Sequence, residues 1–221
     1  MNIGVILFVI AYLVTLFCYF FSETSGNLKR RAINKIILAS MFMVFGITVY
    51  IINYNFFSYH LILLFAVIFA FLGDVVLLYS FTKGGILFMI SNALFFSYEW
   101  IVMAVNNVPL INVLWFLILF GMTFGTFFML TKRKILNFKN KNMAILSYVA
   151  SVSLQGTLGI VLSLYFMNIK MCLFGGGLFL FMISDYFLMV HKFKKHKNWI
   201  LRANSASYFI GLLLVVLSLM Y

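Results

Sequence analysis

The chain has 221 residues, of which 65% are hydrophobic and only 9% are charged, and it contains a single proline. Such a composition leaves too little polar surface for a soluble domain, so it predicts a polytopic helical membrane protein. The formal net charge of +12 does not indicate nucleic-acid binding, because the basic residues fall in short segments between apolar runs, where they serve as orientation signals.

Eight apolar runs follow one another along the chain, each about 20 residues long, as needed to cross ~30 Å of hydrocarbon. The predicted spans are residues 3–21, 34–52, 60–80, 84–105, 109–130, 143–167, 170–190 and 199–220. Very short separations between spans 3 and 4 and between spans 6 and 7 predict antiparallel hairpins. The sequence therefore predicts an all-α fold, a bundle of eight transmembrane helices that forms one domain over residues 1–221.

The lysines and arginines predict the orientation of this bundle. Fifteen of the sixteen lie between spans 1 and 2, 3 and 4, 5 and 6, or 7 and 8, including the start of span 8, and only Lys170 lies on the other side. By the positive-inside rule the basic segments are cytoplasmic. Both termini are therefore expected on the non-cytoplasmic side.

Two aspartates inside apolar spans are the strongest functional signal. Asp74 follows Gly73 in span 3, and Asp185 follows Ser184 in span 7. A carboxylate in a bilayer costs about 2.5–3.5 kcal/mol by insertion scales unless it is paired, neutralised or hydrated. At ~1.5 Å per helical residue, Asp74 lies ~13 Å and Asp185 ~10 Å from the cytoplasmic ends of their spans. Two carboxyls at similar depth suggest acid–base chemistry or a proton path.

Other polar residues fall at the same predicted depth in spans 4, 6 and 8. We predict that five of them line a substrate site with the aspartates: Asn92, Tyr148, Ser151, Asn204 and Tyr208. Hydrogen bonding between helices is the alternative for each of these side chains. Four basic residues lie at the level of a lipid phosphate, although membrane topology alone also explains them: Lys35, Lys83, Lys192 and Arg202. Of these, Lys35 and Lys83 are predicted to bind the substrate.

The two glutamates are not assigned to this site. Glu99 lies between Tyr98 and Trp100 near the opposite surface, and is interpreted as an interfacial residue within an aromatic belt. Glu23 lies in the basic first loop and is expected to be solvated. The small residues of spans 5 and 7, at 121, 125 and 175–177, predict close helix packing.

Several chemistries have no residues to support them. The histidines are at loops or span edges (His60, His191 and His196), and they form no cluster with metal-ligand spacing, so no metal is expected. No serine has a histidine at its depth, and no G-x-S-x-G or phosphate-binding motif occurs. No cofactor is therefore expected, and the carboxylate pair remains.

The sequences around both aspartates resemble the YhhN family of eight-span membrane proteins, the lysoplasmalogenases. The matching stretches are residues 69–77 with Asp74 and residues 177–185 with Asp185, followed by Phe193; Lys35 is similar to a family lysine. The resemblance implies a lysophospholipid substrate in the lipid bilayer, whose vinyl ether bond is hydrolysed to a fatty aldehyde and a glycerophospho-base. Asp74 and Asp185 would be the catalytic residues, and we expect a protein of the bacterial plasma membrane.

The chain departs from the family pattern in span 4. Members commonly have a histidine there, followed three residues later by tyrosine, whereas this chain has Asn92 and Phe95. Ile36 follows Lys35 where proline is usual. Asn92 can orient a substrate or a water but cannot shuttle a proton. One aspartate would then protonate the vinyl ether and the other would stabilise the cation and activate water, with the two roles unassigned.

Two other functions use paired aspartates. An aspartyl intramembrane protease would require glycine at position 71 of its G-x-G-D signature, where this chain has Phe71. A non-catalytic lipid-binding protein or a proton-coupled transporter would use the aspartates as a relay. Transporter helices are often broken near the site, yet the only proline, Pro109, lies at a span edge. Catalysis by the pair predicts that both carboxyls face one cavity, within ~10 Å of each other.

Overall fold

The computed structural model describes residues 3–24, 27–55, 57–133, 142–194 and 197–221. These residues form eight helices and no strand: α1 (Ile3–Glu23), α2 (Leu28–Asn53), α3 (His60–Leu77), α4 (Phe81–Val105), α5 (Leu110–Lys132), α6 (Asn142–Phe166), α7 (Ile169–Phe193) and α8 (Asn198–Ser218). All eight are long and apolar enough to cross a membrane, which confirms the predicted all-α membrane fold. Some residues used in the sequence analysis lie outside the described ranges: Lys134, Lys139, Lys141, Lys195 and His196.

Helix α2 begins six residues before the predicted span. The Asn27 side chain caps it by accepting a hydrogen bond from the Arg30 backbone N–H at 3.0 Å. The predicted span begins after the charged residues because it is defined by hydropathy. Lysine and arginine are nevertheless good helix formers, so the helix itself includes them. The extension matters because Arg31 and Lys35 then lie one turn apart on the same face of a helix.

Long-range contacts show that α2 runs opposite to α3, whereas α3 and α7 run in the same direction. Lys35, near the start of α2, contacts Asp74, near the end of α3. At the other end of the bundle, Lys170 at the start of α7 lies 3.1 Å from His60 at the start of α3. The largest helix interfaces are α7 with α8, α3 with α4, and α6 with α7. Helix α5 is peripheral, with only Phe116 and Phe127 buried among its residues.

Two glycines of the 175–177 run let α7 approach its neighbours closely. A Cβ at Gly175 would collide with the Gly159 carbonyl of α6, and one at Gly177 would lie 2.6 Å from the Gly211 carbonyl of α8. The prediction of close packing is confirmed for Gly175 and Gly177, but not for Gly176, which meets no atom of the described chain within 4 Å of an added Cβ. It was wrong for Gly121 and Gly125, which face no atom of the described chain within 4 Å.

Candidate active site

Both aspartates line one cavity near the end of the bundle where α1, α3 and α7 end and α2 and α8 begin. We call it the aspartate cavity; its volume is about 70 Å³. Its wall is formed by Tyr19, Glu23, Arg31, Lys35, Asp74, Leu77, Phe88, Ser184, Asp185, Leu188, Leu201, Asn204, Ser205, Tyr208 and Phe209. The prediction that the two carboxyls face a common cavity is therefore confirmed.

Asp74 has a partner on each carboxylate oxygen. Lys35 Nζ lies 2.8 Å from Oδ1, and the Tyr208 hydroxyl donates to Oδ2 at 2.6 Å. The aspartate is 2% exposed. A buried carboxylate is tolerated only when a countercharge and further hydrogen bonds replace its water. Lys35 and Tyr208 supply both from helices distant in sequence.

Asp185 has a different environment although its sequence context is similar. The Tyr148 hydroxyl donates to Oδ2 at 2.7 Å, and the residue is 4% exposed. No lysine or arginine among the described residues forms an ion pair with it. The two carboxyls thus differ, because Asp74 contacts an ammonium and a phenol whereas Asp185 contacts a phenol.

Asn92 and Ser151 do not reach the cavity wall. The Asn92 amide donates to Ser151 Oγ at 3.1 Å, and Ser151 Oγ donates to the Tyr148 carbonyl at 2.7 Å. These bonds join α4 to the turn of α6 that carries Tyr148. The structure therefore places them as support for Tyr148, whereas Asn204 does line the cavity and accepts from Ser184 Oγ at 3.0 Å.

Of the four basic residues at the predicted phosphate level, only Lys35 lines the aspartate cavity. Lys83 is exposed at the start of α4, and it lines neither this cavity nor the second cavity that is described below. Lys192 lies over the Phe81 ring. Arg202 donates to Thr24 Oγ1 at 3.0 Å, joining α8 to the end of α1. The Lys35 ammonium forms an ion pair with the Asp74 carboxylate, which is its principal contact.

Glu23 is a third carboxyl on the cavity wall, which the sequence analysis missed. Ser205 Oγ donates to its Oε1 at 2.6 Å and the Tyr19 hydroxyl at 3.2 Å, while Arg31 Nη2 lies 4.0 Å away. The expectation of a solvated loop residue was wrong, because α1 continues to Glu23 and α8 covers it. The i, i+4 spacing of Tyr19 and Glu23 was the available signal.

Glu99 is not interfacial either. It is fully buried, and neither carboxylate oxygen has a hydrogen-bond partner among the described residues. Tyr98 beside it is also buried, whereas Trp100 is 40% exposed, so the aromatic pair does not form one belt. Glu99 faces Gly159 of α6, where an added Cβ would lie 3.0 Å from Oε1, and it lies outside the aspartate cavity.

A second cavity, of about 220 Å³, lies beside the first between α4, α6 and α7. It has mostly apolar walls, and we call it the apolar cavity. Leu77, Phe88 and Leu188 line both cavities. Tyr148 lines the apolar cavity, while its hydroxyl donates to Asp185 on the aspartate cavity.

A model of the YhhN family matches residues 30–219, and the chain therefore belongs to that family. The matched range contains both aspartates with Lys35, Tyr148 and Tyr208. Helix α1, which contributes Tyr19 and Glu23 to the cavity, precedes it. No curated protein and no solved structure matches the chain.

Proposed function

We propose that this YhhN-family protein hydrolyses the vinyl ether bond of lysoplasmalogens, giving a fatty aldehyde and a glycerophospho-base. The observation that carries the proposal is the pair of buried carboxyls, Asp74 and Asp185, which line one cavity with unlike partners. Family membership is compatible with such a hydrolase. Pairs of carboxyls in different environments are the usual means of dividing acid and base roles.

The reaction needs one acid and one anion. A proton is added to the second carbon of the alkenyl chain, which leaves an oxocarbenium ion between the first carbon and the ether oxygen. Water adds to the first carbon and releases a proton that restores the acid. The resulting hemiacetal breaks its bond to the glycerol oxygen, which gives the aldehyde and a free hydroxyl. General acid catalysis and a nearby carboxylate are the groups that this sequence requires.

The unlike partners suggest which aspartate has which role. Asp74 is paired with the Lys35 ammonium, so it suits the anion that stabilises the oxocarbenium ion and orients water. Asp185 has the Tyr148 phenol and no cationic partner among the described residues, so it suits the acid that carries the proton. Tyr148 and Tyr208 hold the two carboxyls in place by donating to one oxygen of each.

The position of the cavity is compatible with a single-chain phospholipid. It lies near the end of the bundle that carries Arg31, whose side chain is 37% exposed and lines the cavity. An exposed guanidinium is suited to a lipid phosphate. If the basic segments are cytoplasmic, the site lies in the cytoplasmic half of the membrane, just beneath the head groups.

The test is aldehyde release from a lysoplasmalogen by the purified protein in vesicles. Asp74→Asn and Asp185→Asn should each lower the rate by about 10²–10⁴, the usual contribution of a general acid or base. Glu99→Gln is the matched control, because it also neutralises a buried carboxyl but lies outside the cavity. In heavy water the aldehyde should carry one deuterium on its second carbon.

Two results would reject this mechanism. Full activity in either aspartate variant would exclude catalysis by the pair. Failure of the wild-type protein to cleave any vinyl-ether lipid, together with proton-dependent uptake of a solute, would instead favour a transporter that uses the aspartates as a relay.

A further inference from the structure

The apolar cavity adjoins the aspartate cavity, and the two share three apolar wall residues. Leu77 at the end of α3, Phe88 on α4 and Leu188 on α7 belong to the walls of both. These three apolar side chains form the boundary that the two cavities share next to the carboxyls.

The outer part of the apolar cavity lies at the surface of the bundle. Ile86, on its wall, is 54% exposed. Gly85, also on the wall, has no atom within 4 Å of the position that a Cβ would occupy. On the α6 side the wall includes Ala144 and Ile145. The space is thus open at the surface of the bundle between α4 and α6.

We propose that the apolar cavity binds the hydrocarbon chain of the lipid whose polar part occupies the aspartate cavity. The proposal rests on the proposed function and adds the path of the substrate. The polar groups Glu23, Arg31 and Asn204 lie on the α1, α2 and α8 side. The mostly apolar walls of the second cavity belong mainly to α4, α6 and α7, and Lys192 near the end of α7 is the one charged residue among the described residues that form them. A single-chain lipid spanning both cavities has its head-to-chain junction beside the aspartates.

Tyr148 marks this junction. Its side chain lines the apolar cavity and its hydroxyl donates to Asp185. The residue that borders the chain therefore also holds the proposed acid. Correct seating of the chain would bring the first two alkenyl carbons next to Asp185.

The apolar cavity is expected to position the lipid chain for the reaction rather than to strengthen its binding by burying apolar surface. A chain that leaves the bilayer for an apolar wall exchanges one hydrocarbon environment for another, so transfer itself contributes little. Close packing and alignment remain, and misplacement of reacting atoms by about 1 Å can cost as much as 10²-fold in rate. Obstruction should therefore affect long chains that must enter the cavity and spare short chains that need not.

The experiment obstructs the cavity with Gly85→Leu, which adds a side chain where the structure has free space. Gly121→Leu on α5 is the matched control, because that glycine also has no neighbour within 4 Å of an added Cβ and lies on neither cavity of the proposed site. Ala144→Leu obstructs the opposite wall. Leucine is a better helix former than glycine, and thermal unfolding verifies that each variant folds.

We expect Gly85→Leu and Ala144→Leu to lower kcat/KM for a long-chain lysoplasmalogen by about tenfold. The value for a short-chain substrate should change by less than about twofold, the scale of ordinary surface effects. Gly121→Leu should change neither value. Unchanged long-chain kinetics in both cavity variants would overturn the proposal, as would equal losses for the two chain lengths.

A second readout does not require catalysis. A single-chain alkyl-ether lysophospholipid with a diazirine at its chain end should label residues such as Met89 and Ile145, and Gly85→Leu should abolish this labelling. A two-chain bilayer phospholipid with the same group should not compete; if it does, the cavity holds bulk lipid and the proposal fails. Specific labelling without any cleavage of vinyl ethers would retain the chain site and reject the hydrolase.

Discussion

Lys35 and Asp74 form an ion pair inside the bundle, with Nζ 2.8 Å from Oδ1 and the carboxylate 2% exposed. The pair explains how α3 carries an aspartate three residues before its end within an apolar segment. It also distinguishes Asp74 from Asp185, which has no such countercharge among the described residues. The asymmetry of the candidate site thus originates in α2, through the helical extension that positions Lys35 and Arg31.

Lys35→Met should strongly destabilise the protein, because it leaves the Asp74 carboxylate buried without its countercharge. The expected loss is about 3–5 kcal/mol of unfolding free energy. Thermal unfolding in detergent measures it, and Lys29→Met, an exposed position on the same helix, is the control. Adding Asp74→Asn should restore much of the loss, since no charge then remains. A double variant no more stable than Lys35→Met would contradict the ion-pair interpretation.

Tyr148→Phe should slow aldehyde release. The change removes the hydroxyl that donates to Asp185 but retains the ring on the apolar cavity. We expect kcat to fall by about tenfold, equivalent to ~1.4 kcal/mol of transition-state stabilisation, with KM nearly unchanged. Tyr186→Phe is the matched control, because that hydroxyl lies 2.7 Å from Ser153 Oγ and off the cavity. Equal effects of the two changes would exclude a positioning role for Tyr148.

The three consecutive glycines of α7 should respond differently to alanine. At Gly175 and Gly177 a Cβ would strike the backbone of α6 and α8, respectively, so we expect losses of about 1–3 kcal/mol, the usual cost of overpacking. At Gly176 a Cβ meets nothing within 4 Å, and alanine should be neutral or slightly stabilising because of its helix propensity. Melting temperatures in one detergent compare the three. A destabilised Gly176→Ala would show that the packing faces are misassigned.

Methionine should have opposite effects at the two buried glutamates. Glu99 has no hydrogen-bond partner among the described residues, so Glu99→Met removes an unsatisfied polar group and should raise the melting temperature. Glu23 Oε1 accepts hydrogen bonds from Ser205 and Tyr19, so Glu23→Met leaves those donors unpaired. It should lower the unfolding free energy by about 1–3 kcal/mol, and with it the melting temperature. The same sign for both changes would contradict the contrast between the two environments.

The departure at Asn92 has a structural counterpart. The family's histidine position faces Ser151 in this chain, and the two side chains join α4 to α6 beneath Tyr148. The Asn92 amide is thus linked to Tyr148, the residue that donates to Asp185, through Ser151.

The sequence by itself determined the number of helices and the presence of two carboxyls inside apolar segments. Each follows from a local property: a helix in lipid satisfies its own backbone hydrogen bonds and needs about 20 apolar residues, and a carboxyl within such a run is costly. Depth along each helix could also be estimated by counting residues. Four residues that were predicted at one depth do line the same cavity: Asp74, Asp185, Asn204 and Tyr208.

Only the tertiary structure decided which side chains at that depth face each other. These helices are apolar around most of their circumference, so the sequence contains little amphipathic signal from which to infer their rotation. The rotation of each helix about its axis, together with the helices it packs against, places Glu23 on the cavity and Asn92 behind it. The same packing encloses Glu99 against Gly159. The reason is geometric: residue spacing specifies height along a helix, whereas packing between helices specifies direction around it.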